Sequence, residues 1–127
     1  MVYVLPETDR FCNVQLLDAW TNTAAVLDKA GAYAIALPGW EGELPDGVTR
    51  VDVPTATGWS ITRTVLSGNE DLPNVYAIQE QMQLLPLSAY VQGGEYTAPQ
   101  GAYKEENDFV PVNKVLSMTP AEFFNTA

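Results

Sequence analysis

Residues 59–66, WSITRTVL, read as a strand in which Trp59, Ile61 and Arg63 share one face and Ser60, Thr62 and Thr64 the other. Trp, Ile, Thr and Val suit a pleated, half-buried surface, which makes this segment a strand that needs a partner. Four other segments also read as strands. Val2-Tyr3-Val4-Leu5 is an apolar run stopped by Pro6. Residues 11–20 (FCNVQLLDAW) put Val14, Leu16, Asp18 and Trp20 on one face and Asn13, Gln15, Leu17 and Ala19 on the other. A helix competes here, because Val14, Leu17 and Asp18 also fall at helical spacing; the strand is preferred. Residues 33–37 form a buried-type strand closed by Pro38-Gly39. Residues 48–53 alternate, with Val51 and Val53 opposed to Arg50 and Asp52. Turn signals recur every ten or so residues, among them Pro45-Asp46-Gly47.

The last third reads differently. Asp71 suits an N-cap, Pro73 the first helical turn, and Val75, Ile78, Gln79 and Met82 follow at helical spacing. These predict one short helix near residues 72–83, ended by Pro86. Residues 93–107 read as a long surface loop, and residues 109–118 as a further strand whose Pro111 assigns it to an edge. Thr119-Pro120-Ala121-Glu122 is a capping box with proline at the first helical position, so a helix starts after Thr119. The sum is a mainly β chain, an antiparallel β-sandwich of immunoglobulin-like type, with residues 1–127 as a single module.

Charge and composition narrow the chemistry. Sixteen acidic residues against six basic give a net charge of −10, which repels phosphate backbones and argues against nucleic-acid and anionic-lipid partners. No run of apolar residues is long enough to span a membrane, and no basic-then-apolar leader opens the chain. There is no histidine and one cysteine, Cys12, so Ser-His-Asp, Cys-His and standard zinc chemistry have no complete residue set here. Carboxylates, arginine and aromatic surfaces remain. Paired carboxylates alone can hydrolyse glycosides, so an enzyme is disfavoured rather than eliminated. No catalytic residue, metal ligand or cofactor is assigned.

Several ordered motifs carry a resemblance. Gln15-Leu16-Leu17-Asp18-Ala19-Trp20-Thr21-Asn22, the turn from Pro38-Gly39-Trp40 through Leu44-Pro45-Asp46-Gly47-Val48, and Trp59 with Arg63-Thr64 resemble segments of domain-of-unknown-function family 1254. Leu85-Pro86-Leu87-Ser88 and the set Met118, Phe123 and Phe124 are similar to its later segments. The resemblance implies a β-sandwich followed by a helical segment, usually joined to a separate jelly-roll domain, family 1214. It implies that this chain corresponds to the later part of the first domain, truncated relative to the family. The family carries no established activity.

Five residues stand out as candidate ligand-binding groups: Asp18, Trp20, Trp40, Trp59 and Arg63. If the faces bearing Asp18 and Arg63 see the same space, the two form a charge pair lined by Trp20 and Trp59. Such a pair is more often a structural bridge than an anion clamp. Trp40 lies in a glycine-flanked turn and is expected to be half-exposed. The acidic groups Glu41, Glu43 and Asp46, and Glu105, Glu106 and Asp108, lack a calcium-loop pattern and read as solvated loops. Cys12 reads as a small buried hydrophobe. The leading functional expectation is a non-catalytic structural or interaction module of a larger two-domain protein, docking on a neighbouring domain or self-associating through sheet edges. The alternative is a partial active site, or a carbohydrate- or cation-binding domain, of a bacterial enzyme.

Overall fold

A computed structural model describes residues 1–93, 96–105 and 108–126. The chain divides into two compact units, residues 1–97 and 98–127. Among the described residues seven strands form, all in the first unit: β1 (Val2–Leu5), β2 (Cys12–Asp18), β3 (Thr23–Leu27), β4 (Gly31–Ala36), β5 (Val48–Asp52), β6 (Gly58–Thr64) and β7 (Gln83–Leu85). A four-stranded sheet runs β5-β4-β1-β7 and a three-stranded sheet runs β3-β2-β6. Every pairing is antiparallel except β4 with β5. The result is a mainly β fold of two sheets with a few short helices.

Pleat parity explains the core. Tyr3 and Leu5 of β1, Val14 and Leu16 of β2 and Leu27 of β3 form one buried cluster, with Ala25, Tyr33, Ile35 and Val51 packed against it. The Tyr3 hydroxyl and Thr62 Oγ1, 2.7 Å apart, tie β1 to β6 across this space. The strand β1 is central in its sheet and buried on both faces, which is why its sequence is apolar throughout: Val2 is fully buried and pairs in register with Ala34 and Leu85. The pairing of β2 with β3 slips between Leu16 and Leu17, leaving Ala24 as the extra residue in β3, and both leucines are buried despite opposite parity.

Arg10 ties the strands to the helical segment. Its guanidinium grips Asp71 at 2.6 and 3.2 Å and also donates to the Val65 carbonyl. Asp71 stands at the N-cap of α1 (Leu72–Gln79), as expected from sequence, but its carboxylate caps no α1 backbone N–H. It accepts instead from Arg10, from the Ser67 backbone and from the Asn74 side chain. The helix stops at Gln79 rather than residue 83, because residues 83–85 are recruited as β7 to the open side of β1. Pro86 does not end α1; it precedes α2 (Leu87–Gln92), where its missing N–H costs nothing.

The second unit holds α3 (Pro111–Ser117) and α4 (Pro120–Thr126). The strand expected at residues 109–118 is therefore a helix. Val110, Val112 and Val115 favour extended chain, yet the described residues of this unit include no strand to complete a ladder, and a helix satisfies its own backbone. Pro111 fits the first turn, and the Lys114 N–H donates to the Val110 carbonyl. The capping box at α4 forms as expected: Glu122 Oε2 accepts from the Thr119 backbone and hydroxyl at 2.8 Å, and Thr119 Oγ1 accepts from the Glu122 N–H. Glu106 lies outside the described residues.

Candidate functional site

The space between the two sheets is not filled to the end. A cleft of about 290 Å³ opens there, lined by Tyr3, Ile35 and Leu84 of the larger sheet and Leu16 and Trp59 of the smaller one, with Val53, Thr55 and Ala56 from the connection between β5 and β6. Its lining has no carboxylate, lysine or arginine side chain. Three hydroxyls line it, those of Tyr3, Thr55 and Ser60; Tyr3 faces Thr62, and Thr55 accepts from the Ala19 N–H while donating to the Thr57 carbonyl. Such a cleft can hold an apolar group or a flat ring against Trp59; it has no side chain placed to move a proton near neutral pH.

Of the five sequence candidates, Trp59 alone reaches this cleft, and it is about half-exposed. Asp18 and Arg63 do not form a charge pair, because the β2–β6 register sets their residues at opposite parity. Asp18 is buried and organises the turn into β3. Its carboxylate accepts from the Trp20 N–H at 2.9 Å, the Asn22 N–H at 2.8 Å and the Asn22 side chain at 3.0 Å. These bonds, that of the Asn22 side chain foremost, hold the Asp18 carboxyl below the usual range. They also steady Thr21, whose φ of 69° is left-handed. Trp20, at the tip of this turn, is 77% exposed. Arg63 lies on the outer face of β6 and donates to Gln15 Oε1 at 3.0 Å.

Trp40 is partly exposed, as its turn implied. The Arg50 guanidinium lies over its ring at 5.3 Å, donates to its carbonyl at 2.9 Å and pairs with Asp52 at 2.7 Å. Trp40 borders a smaller hollow with Met1, Leu44 and Leu87. Tyr90 and Tyr96 line a wider one of about 740 Å³ beside β7 and α2. Cys12 is buried, with its sulfur 3.6 Å from Thr64 Oγ1. Among the described residues, no group of three or more acidic or thiol side chains is placed to hold a metal, and no helix is long and apolar enough to cross a membrane. The cleft was not visible in the sequence; its signal would have been the parity of Tyr3, Leu16 and Ile35 combined with the pairing of the sheets.

Fold and cleft together define a two-sheet β domain with an apolar opening between its layers. The chain belongs to the family described as a protein of unknown function (DUF1254), which matches residues 1–86. The matched part holds all seven strands and α1. No curated protein matches. Among solved structures, the VPA0106 protein from Vibrio parahaemolyticus is similar over 90% of this chain, with 22% identity and a TM-score of 0.67. That likeness is one of fold. The chain spans 31% of the length of that protein.

Proposed function

We propose that this chain is a non-catalytic structural and interaction module, an immunoglobulin-like sandwich belonging to a larger two-domain architecture in which a jelly-roll domain is the expected neighbour. Its seven strands divide four and three, which favours that sandwich type; the parallel β4–β5 pair is its departure from an all-antiparallel arrangement. One observation carries the interaction reading. The first unit leaves Trp59 at an open sheet edge, about half-exposed, beside a cleft with no ionisable carboxylate or basic side chain. Trp20, Trp40, Asp18 and Arg63 then serve turns and faces rather than a reacting centre.

The test is the molar mass in solution, measured by light scattering across a concentration series. Growth beyond 13.9 kDa with concentration supports an interaction module. A monomer at every concentration overturns it. The second reading, a ligand-binding domain of a bacterial enzyme, rests on the same cleft, with Trp59 as the surface for a sugar ring or an apolar group. It predicts a Trp fluorescence shift with glycans or apolar probes that is lost in Trp59→Ala.

A further inference from the structure

Four strands form the edges of the two sheets: β5 and β7 in one, β3 and β6 in the other. Natural edges are blunted by shortness, bulges, charge or proline. The strand β7 has three residues. The pairing that holds β3 is broken by a register slip. The strand β5 carries Arg50 and Asp52 and runs into Pro54. By contrast β6 has seven residues, with no proline, no bulge in its pairing to β2 and a single charge, Arg63, whose guanidinium donates to Gln15 of the neighbouring strand.

The direction of its free backbone groups follows from the ladder. The Val65 N–H donates to the Phe11 carbonyl at 3.0 Å, and the β2–β6 register steps from that pair through Asn13/Arg63, Gln15/Ile61 and Leu17/Trp59. In an antiparallel pair, hydrogen-bonded positions alternate with non-bonded ones. The odd-numbered residues of β6 therefore point their N–H and C=O toward β2. Those of Gly58, Ser60, Thr62 and Thr64 point away, to the side where the sheet has no further strand.

We propose that this edge pairs with the β6 strand of a second copy of the chain, antiparallel about a two-fold axis at Ile61, joining two three-stranded sheets into one of six. The inference rests on the interaction-module reading and specifies its partner. The sequence of β6 is self-complementary in this register. Ser60 meets Thr62 of the other copy and Gly58 meets its Thr64, so all four outward-pointing residues fall in hydrogen-bonded pairs. On the outer face Ile61 meets Ile61, and Trp59 meets Arg63 in each direction, a cation over an indole at the close, non-bonded positions. No charge faces its like within the pairing. The shared axis keeps the two Arg63 side chains at opposite ends, four residues apart along the strand. With −10 on each chain, the remaining repulsion is spread over the surface, and added salt screens it, so association strengthens as ionic strength rises.

The experiment combines light scattering with a cysteine scan in a Cys12→Ala background. Ile61→Cys places two thiols at a non-bonded pair, with Cα atoms about 4.5 Å apart, inside disulfide range. Arg63→Cys places them roughly 13 Å apart and outside it. The expected result is a concentration-dependent dimer in which Ile61→Cys cross-links about tenfold faster than Arg63→Cys. Ser60→Pro removes an outward N–H without touching the β2 ladder, and Ile61→Lys sets like charges on the axis. Each is expected to raise the dimer Kd about tenfold or more. Ile61→Lys leaves the backbone unaltered and decides the matter if Ser60→Pro does not fold by circular dichroism. A dimer that persists in Ile61→Lys, or equal cross-linking at the two sites, overturns β6 pairing while leaving the interaction reading in place. A monomer at every concentration and salt level overturns both.

Discussion

Leu16 and Leu27 belong to the same buried cluster and are each about 4% exposed, but only Leu16 lines the cleft. Truncating them should therefore cost different amounts. Leu→Ala removes about three methylene equivalents at ~0.8 kcal/mol each, so both lose ~2.4 kcal/mol of transfer free energy. Leu27 pairs in register with Val14 inside the cluster and borders no cleft, so the space it vacates is a sealed void that adds ~1–2 kcal/mol at about 24 cal/mol per Å³. At Leu16 the vacancy opens into the existing cleft, so no sealed void forms and the second contribution largely disappears. Leu27→Ala is expected to lose about 4 kcal/mol and Leu16→Ala about 2.5 kcal/mol. Urea titration followed by Trp fluorescence measures both, provided the slope with denaturant is unchanged. Equal losses, or a larger loss at Leu16, would refute the continuity of that side chain with the cleft.

Two further substitutions probe the frame around the site. A Cβ on Gly58 would sit 2.8 Å from the Leu17 carbonyl oxygen, so Gly58→Ala must push β6 from β2 and should lower stability by about 1–3 kcal/mol in the same titration; an unchanged midpoint would mean the strand end yields freely. Hydrogen bonds from Arg10, Asn74 and Ser67 hold the Asp71 carboxyl far below its ordinary value, and Asp18 and Glu122 are also lowered. A depressed carboxyl stabilises the fold above its unfolded pKa of about 4 and loses that contribution as pH falls through the folded value. Thermal melts should hence drop progressively below about pH 4, and Asp71→Asn should lower the neutral midpoint while shallowing the acid limb; parallel profiles would contradict this.

Strands whose own side chains alternate were legible from sequence. That holds for β2, β5 and β6, where apolar and polar residues mark two faces, while β1 and β4 were legible as short apolar runs bounded by turn residues. Thr23–Leu27 was not, because the turn before it has no glycine or proline. Asp18 takes over that role by accepting two backbone N–H groups, and the left-handed residue is Thr21, a rare choice there. Nor was β7 legible: three residues carry no period, and only the unpaired side of β1 makes a strand of them. The valines at 110, 112 and 115 misled for the converse reason, since β propensity measures fit to a sheet, and the described residues of the second unit form none.

The candidate site shows what alternation alone leaves undetermined. Parity places Trp59, Ile61 and Arg63 together and Leu16 with Asp18, and the structure has both sets. Alternation is silent on which set faces the second sheet, because reversing a strand's two faces leaves its own pattern intact. That choice depends on Tyr3 reaching Thr62 and on β1 stacking against β2. Once it is made, Leu16 and Asp18 turn inward and Arg63 outward, and the sheet itself separates the proposed ion pair. Trp40 repeats the lesson at longer range. Its cation, Arg50, is ten residues away in sequence and arrives because β5 runs parallel to β4, a pairing that no residue in the turn between them specifies. The same separation of faces sets Ile61 and Arg63 on the outer side of β6, in line with Trp59 at the rim of the cleft, on a strand whose other edge has no neighbour in the sheet.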